Sequence, residues 1–314
     1  MSLSAADCLR RGWTNLSANW ELVVIQWLES FLVALLMALG LVLALLALGM
    51  NAPLSDQWTA RAAAEALRRL AGSSPALPLA LAALLSVWLL TLLLHCFLQA
   101  GTYGVMTAAD RQALPGGRRH RLLFRTFSLR DFCGWGGLYV WRFLGLLVLF
   151  WGLALLMGMA VVLWLVFLGA GGLHWGTSAA LGIGCGGALP MGFLLLVMLL
   201  WFQVAQAGLA WEGSGVRASA RRGLAVLGRR LGAVIGLTCL CVGGACAVAL
   251  AFFPFSAAAE SLLAGAPRVR ALVQLLLLLL QALPSTLLAM GLAGSLVALV
   301  RSETRRLGPE VQAA

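Results

Sequence analysis

The chain reads as an all-α, polytopic membrane helical bundle with about six transmembrane helices, and three observations predict it. The first is composition. Of 314 residues, 62% are hydrophobic and only 11% charged, with a mean hydropathy of +0.96, whereas a soluble domain of this length carries roughly a quarter charged residues. That leaves too little polar surface to coat a globule in water, so lipid must solvate much of the exterior. The second is six apolar runs, each near or above the roughly 20 residues needed to cross a bilayer. The third is the distribution of arginine, the sole basic residue apart from three histidines. With both termini placed in the cytoplasm, sixteen Arg fall on inner segments and five on outer ones, as the positive-inside rule requires.

The elements follow in order. Leu9, Trp13, Leu16 and Trp20 recur at helical spacing, with Arg10, Arg11, Asn15 and Asn19 off that face. Residues 1–20 are therefore expected as an amphipathic helix in the cytoplasmic interface. The first span, about 22–49, is too long for the apolar core of a signal peptide and is expected to stay in the protein. Ser55–Leu70 carries an Arg61–Glu65–Arg69 ladder and reads as an outer amphipathic helix. Further spans are expected at about 76–108, 138–169, 180–211, 233–256 and 269–300. The third run opens on Gly134, Gly136 and Gly137, which suggests an interfacial start before the crossing. Pro190, Pro254 and Pro284 are the expected kink points. Trp20, Trp27, Trp58, Trp135, Trp175 and Trp211 lie near run ends, as an aromatic belt predicts.

The whole of 1–314 is thus one integral membrane domain, multi-pass and expected in a bacterial cytoplasmic (inner) membrane. The sequence also allows a parallel internal repeat over 1–110 and 212–301, because Arg10-Arg11-Gly12-Trp13 aligns with Arg221-Arg222-Gly223-Leu224. The competing explanation is that basic helices entering membranes look alike. Val216, Ala220, Leu224, Leu227 and Leu231 give the second segment its own apolar face. Gly182-x-x-x-Gly186, Gly232-x-x-x-Gly236 and Gly291-x-x-x-Ser295 permit close helix contact, within the chain or with a partner subunit.

The opening SAADCLRRGWTNLSANWELVVIQWLESF and the later WEGSGVRASARRGLAVLGRRLGAVIGL resemble corresponding stretches in a group of bacterial membrane proteins. That group includes the YciC-type inner-membrane proteins and the membrane domain found with some glycerophosphodiester phosphodiesterases. The resemblance implies architecture and no chemistry. The phosphodiesterase-type catalytic domain would follow the membrane region, so no catalytic residue carries over.

Ionisable and amide side chains within bilayer depth are the candidate site. Glu29 and Arg142 lie shallow in the first and third spans, near enough to the same level for an ion pair. His95 and Gln99 share a helix face, as do Gln203 and Gln206, and Gln274 and Gln281. Such residues line a polar cavity or make interhelical hydrogen bonds. Cys239-x-Cys241 points to opposite sides of a helix and is no metal pair, and no metal or other cofactor is expected. Walker, H-E-x-x-H and G-x-S-x-G motifs are missing from the sequence, and no segment is long enough for a soluble catalytic domain. A non-enzymatic scaffold or accessory subunit of a membrane complex is the expected function. The alternative is a transporter-like permease for a small or amphiphilic molecule. A mid-membrane cavity lined by His95, Gln99, Gln203 and Gln274 favours the permease, and a solid core favours the scaffold. Arg118, Arg119, Arg121, Arg125, Arg130, Arg217, Arg221, Arg222, Arg229 and Arg230 form the face expected to meet anionic headgroups or an acidic membrane partner. Their place beside apolar runs argues against nucleic acid.

Overall fold

The computed structural model describes residues 3–47, 76–113, 121–175, 177–263 and 265–307. They form α1 (Ala5–Ala18), α2 (Glu21–Ala47), α3 (Ala76–Gln112), α4 (Leu129–Trp175), α5 (Thr177–Glu212), α6 (Val216–Leu262) and α7 (Pro267–Leu307), plus a 3-10 turn at Arg121–Phe124. There is no strand among the described residues. The outer segment Ser55–Leu70, Arg118 and Arg119 lie outside them. Six helices, α2 to α7, are long and apolar enough to cross a membrane. The protein is an integral membrane protein, an all-α polytopic bundle.

The third apolar run is one unbroken helix. Gly134, Gly136 and Gly137 are helical, and α4 runs 47 residues from Leu129. That is about 70 Å of helix at 1.5 Å per residue, more than twice the hydrocarbon thickness, so it projects beyond the bilayer or tilts. Its start is set by Ser128, whose Oγ accepts from Asp131 N (3.1 Å) and donates to the Asp131 carboxylate (2.7 Å). Ser4 and Asp7 cap α1 the same way. The orphan N–H groups of a helix N-terminus need acceptors; the serine Oγ supplies one, and the acid three residues on accepts the serine's own proton and so orients it. Pro190, Pro254 and Pro284 sit inside helices that continue through them. The helical dihedrals of α6 break instead at Arg230 (φ −131°, ψ 27°).

The spans form a closed ring: each packs on the next in sequence, and α7 returns to α2, with α5 also against α7 and α3. The core occupies only the Arg-rich half. Leu22, Met106, Leu146, Leu200, Leu209, Val234, Leu296 and Leu299 are all nearly fully buried there. Leu85, Leu155, Leu163, Leu250 and Leu278, farther along the same helices, are exposed. That other half presents its apolar side chains outward, where lipid solvates them.

Both amphipathic segments depart from expectation. Helix α1 is docked into the bundle, with its buried face against α7. Gly12 meets α7 so closely that an added Cβ would lie 2.4 Å from Ser295 N and 2.8 Å from Gly294 C, and Trp13 covers Gly291. The Gly291-x-x-x-Ser295 pattern is therefore the seat of α1. The inward stripe is Cys8, Gly12, Asn15, Leu16 and Asn19, while Trp20 is exposed. The asparagines have work to do inside. Asn15 donates to Met106 O (2.8 Å). Asn19 donates to Phe124 O (2.7 Å) and accepts from the Thr126 and Phe127 amides (3.0 and 2.9 Å), fixing the turn between α3 and α4. In the first stretch of α6, up to Leu227, the buried positions are Ser219, Arg222, Gly223, Val226 and Leu227, and Leu224 is exposed. This first stretch packs on α5, where Trp201 Nε1 donates to Ala220 O (2.9 Å).

Cys8 gives a direct test of α1 docking. Desolvation, opposed by the nearby Arg230 charge, pushes its thiol up to about 12. The folded thiol holds its proton more tightly than the unfolded one, so its contribution to stability is present below about 9 and lost as pH rises toward about 12. At neutral pH, Cys8 is expected to resist N-ethylmaleimide in the folded protein and to react on unfolding. Modification of folded Cys8 as fast as the exposed Cys133 would contradict the docked helix.

Candidate functional site

A polar ladder joins α2 to α3 about two turns into the bilayer half that holds the core. Glu29 lies eight residues beyond the start of α2 at Glu21, about 12 Å along the axis. Gln26, Glu29 and Ser30 share one face of α2 by their i, i+3, i+4 spacing, as His95, Gln99, Thr102 and Tyr103 share one of α3. His95 Nδ1 lies 2.6 Å from Glu29 Oε1, Gln99 donates to Gln26 (2.9 Å), and Gln26 donates to Thr102 (3.2 Å).

Two cavities flank this ladder. One, of about 230 Å³, is lined by His95, Gln99 and Tyr103 with Gln203 and Gln206 of α5 and an apolar wall including Phe202 and Leu296. The other, of about 280 Å³, is lined by Gln26, Glu29, Ser30, His95, Gln99 and Thr286. They share His95, Gln99, Ala289 and Met290. The Glu29 side chain is only 4% exposed and His95 43%, so the imidazole is the reachable member of the pair. Glu29 Oε2 and Gln203 Oε1 are buried without a hydrogen-bond partner.

Glu29 is therefore partnered by His95 and not by Arg142. Arg142 donates to the Gly213 carbonyl and stacks over Tyr139, 5.4 Å from the ring centre. The reason is topological: α2 packs on α3 and α7, and α4 on α3 and α5, so residues at similar depth face different neighbours. Gln203 and Gln206 meet His95 and Gln99 at one cavity, whereas Gln274 is exposed and Gln281 lines neither cavity. Gln26, Ser30, Thr102 and Thr286 were missed. Gln26 is three residues before Glu29 on the same face, which was the available signal.

A second cluster lies at the Arg-rich end, where the sequence suggests a topology signal and a face for anionic headgroups or an acidic partner. Asp110, 1% exposed, binds Arg11 of α1 through Oδ1 and Arg301 of α7 through Oδ2 (2.8 Å). The same guanidinium groups reach the Asp110 and Ala113 carbonyls, which are acceptors at the C-terminal end of α3 without helical partners. Arg222 pairs with Glu212 (2.5 Å) and Arg230 with Glu303 (2.8 Å). Arg125 pairs with Glu21 and donates to Ala18 O (2.8 Å). Three members of the expected lipid-facing set are thus engaged within the protein, with Arg222 buried. Arg130, Arg217, Arg221 and Arg229 are exposed, and Arg121 opens the 3-10 turn.

Among the described residues no three His, Cys, Asp or Glu gather as a metal-ligand set. In comparisons with family models, with curated proteins and with solved structures, no match to this chain is found.

Proposed function

We propose that the protein is a transporter-like permease that takes a small polar or amphiphilic molecule into the cavity beside His95 and Gln99. The observation that carries this reading is the convergence of Gln99 and His95 of α3 with Gln203 and Gln206 of α5 on one space of about 230 Å³. A scaffold needs no such space, and polar groups facing an open cavity within a membrane are costly unless something fills it. The volumes fall below the roughly 300–1,000 Å³ of drug-sized sites, which supports a small ligand. In a variant with its native cysteines replaced, Gln203→Cys and Gln206→Cys are expected to react with a neutral, hydrophilic thiosulfonate in intact membranes. Gln274→Cys, at an exposed position nearer the start of α7, serves as the lipid-facing comparison. No reaction at either α5 position would sink the permease reading and return the scaffold.

The proposal extends to surroundings. The Arg count supports the cytoplasmic side of a bacterial inner membrane for this end of the bundle, and the likeness to YciC-type proteins supports it through layout alone. Arg130, Arg217, Arg221 and Arg229, all exposed, with exposed Leu122 and Leu224, fit anionic headgroups at about 1 kcal/mol per Arg near the surface. Replacing these four with Gln is expected to reduce the phosphatidylglycerol that co-purifies, and in the original protein high salt is expected to strip it. Equal lipid retention in both proteins at all salt concentrations would refute this contact.

A further inference from the structure

We propose that the cavity selects a protonated primary amine with a short apolar tail, its ammonium group held at Glu29. The inference deepens the permease reading above and rests on it.

Charge comes first. The titratable side chains lining the two spaces are Glu29 of α2 and His95 and Tyr103 of α3; α5 and α7 contribute none, and no arginine lines either space. Glu29 is thus the one carboxylate lining either space, and its contact there is with the His95 imidazole. A buried carboxylate of that kind is costly in a low-dielectric setting, and a cation offsets the cost.

Hydrogen bonding comes next. Glu29, 5% exposed, lines the second space, and its buried Oε2 has no hydrogen-bond donor. The buried Gln203 Oε1, on a residue lining the first, also lacks one. Both orphans are acceptors, so a ligand that suits them is rich in donors. An ammonium group offers three donors and no acceptor, whereas a quaternary ammonium offers none and an anion meets only repulsion. The remaining wall, with Leu199, Phe202, Met290 and Leu296, is apolar and accommodates a hydrocarbon tail. A bare metal ion would leave that wall unused.

The test uses the full chain in nanodiscs of zwitterionic lipid, with n-butylammonium chloride as the probe against sodium chloride of equal ionic strength. Thermal unfolding is expected to show saturable stabilisation by n-butylammonium at concentrations at least tenfold below any effect of n-butanol, butyrate or tetramethylammonium. Glu29→Gln is expected to abolish the response. Should that variant not fold, Gln203→Leu decides, with an expected several-fold weakening, and Gln274→Leu is expected to respond as the original protein does. Retention of the full response in Glu29→Gln, or in Gln203→Leu, overturns the proposal. So does stabilisation by n-butanol equal to that by the amine, which leaves the permease reading in place with a cavity indifferent to charge. Unreactive Gln203→Cys and Gln206→Cys remove the permease reading itself.

Discussion

Replacing Asp110 with alanine is expected to destabilise the folded protein by on the order of 3–5 kcal/mol, the cost of stranding one side of a buried ion pair. The stranded side here is double. Arg301 is 4% exposed and Arg11 approaches the same carboxylate from α1, so one deletion leaves two guanidinium groups on one site. Their bonds to the Asp110 and Ala113 carbonyls persist, which retains part of the interaction. Asp110→Asn keeps one acceptor oxygen and is expected to lose less. Combining Asp110→Asn with Arg301→Met removes one of the two stranded charges and is expected to recover part of the loss. Thermal unfolding in mild detergent reads all three. An additive loss in the double variant would mean that the two residues do not interact.

The second large effect is expected at Gly12. In an exposed helix interior, glycine to alanine gains about 1 kcal/mol from helix propensity. At Gly12 the sign should reverse. The new methyl would lie 2.4 Å from Ser295 N and 2.8 Å from Gly294 C, both backbone atoms of a helix that cannot yield by changing rotamer. Helix α1 must lift from α7, with a loss at or above the 1–3 kcal/mol typical of overpacking, and Cys8 should become open to maleimide. Gly228→Ala is the control, since nothing lies within 4 Å of the Cβ it would add; it is expected to be neutral or mildly stabilising. Equal melting temperatures for the two variants would refute the close approach.

These two sites show what sequence does and does not reveal in a membrane chain. The spans were legible because hydropathy over a window reports the transfer of a helix into lipid directly. Their ends were not, because α4 and α6 stay helical well past the apolar runs, set by Ser128 and by the glycine turn at Gly213–Gly215. Gly213 holds a left-handed φ of 63° there, the usual way to end a helix. The orientation of α1 was misread because apolar periodicity assigns Leu9, Trp13, Leu16 and Trp20 to one surface. The buried stripe uses Gly12, Asn15 and Asn19, whose roles are close approach and backbone hydrogen bonding and leave no hydropathy trace. Half of the cavity was legible. The spacing of the amides on α3 and α5 singles out Gln99, Gln203 and Gln206, which meet at one space. Gln274 obeyed the same rule and sits elsewhere, because spacing fixes a face of one helix and never which helix it meets. The partners of Arg11, Arg222 and Arg301 were hidden for a related reason: the positive-inside rule accounts for a charge by its side of the membrane, and a charge so explained prompts no search for a carboxylate.

The seating of α1 on α7 also has a temporal side. Helix α1 is synthesised ahead of the six described spans, yet its groove at Gly291–Ser295 and the Arg301 that shares Asp110 with Arg11 belong to the last of them. During synthesis Gly12 has no surface to meet and Asp110 has one guanidinium fewer, however well α2 to α6 have entered the bilayer. Before α7 is made, α1 can be held by its bonds to α3 and to the turn that follows α3, at Met106, Asp110 and Phe124; its seat at Gly291–Ser295 is supplied last among the described segments.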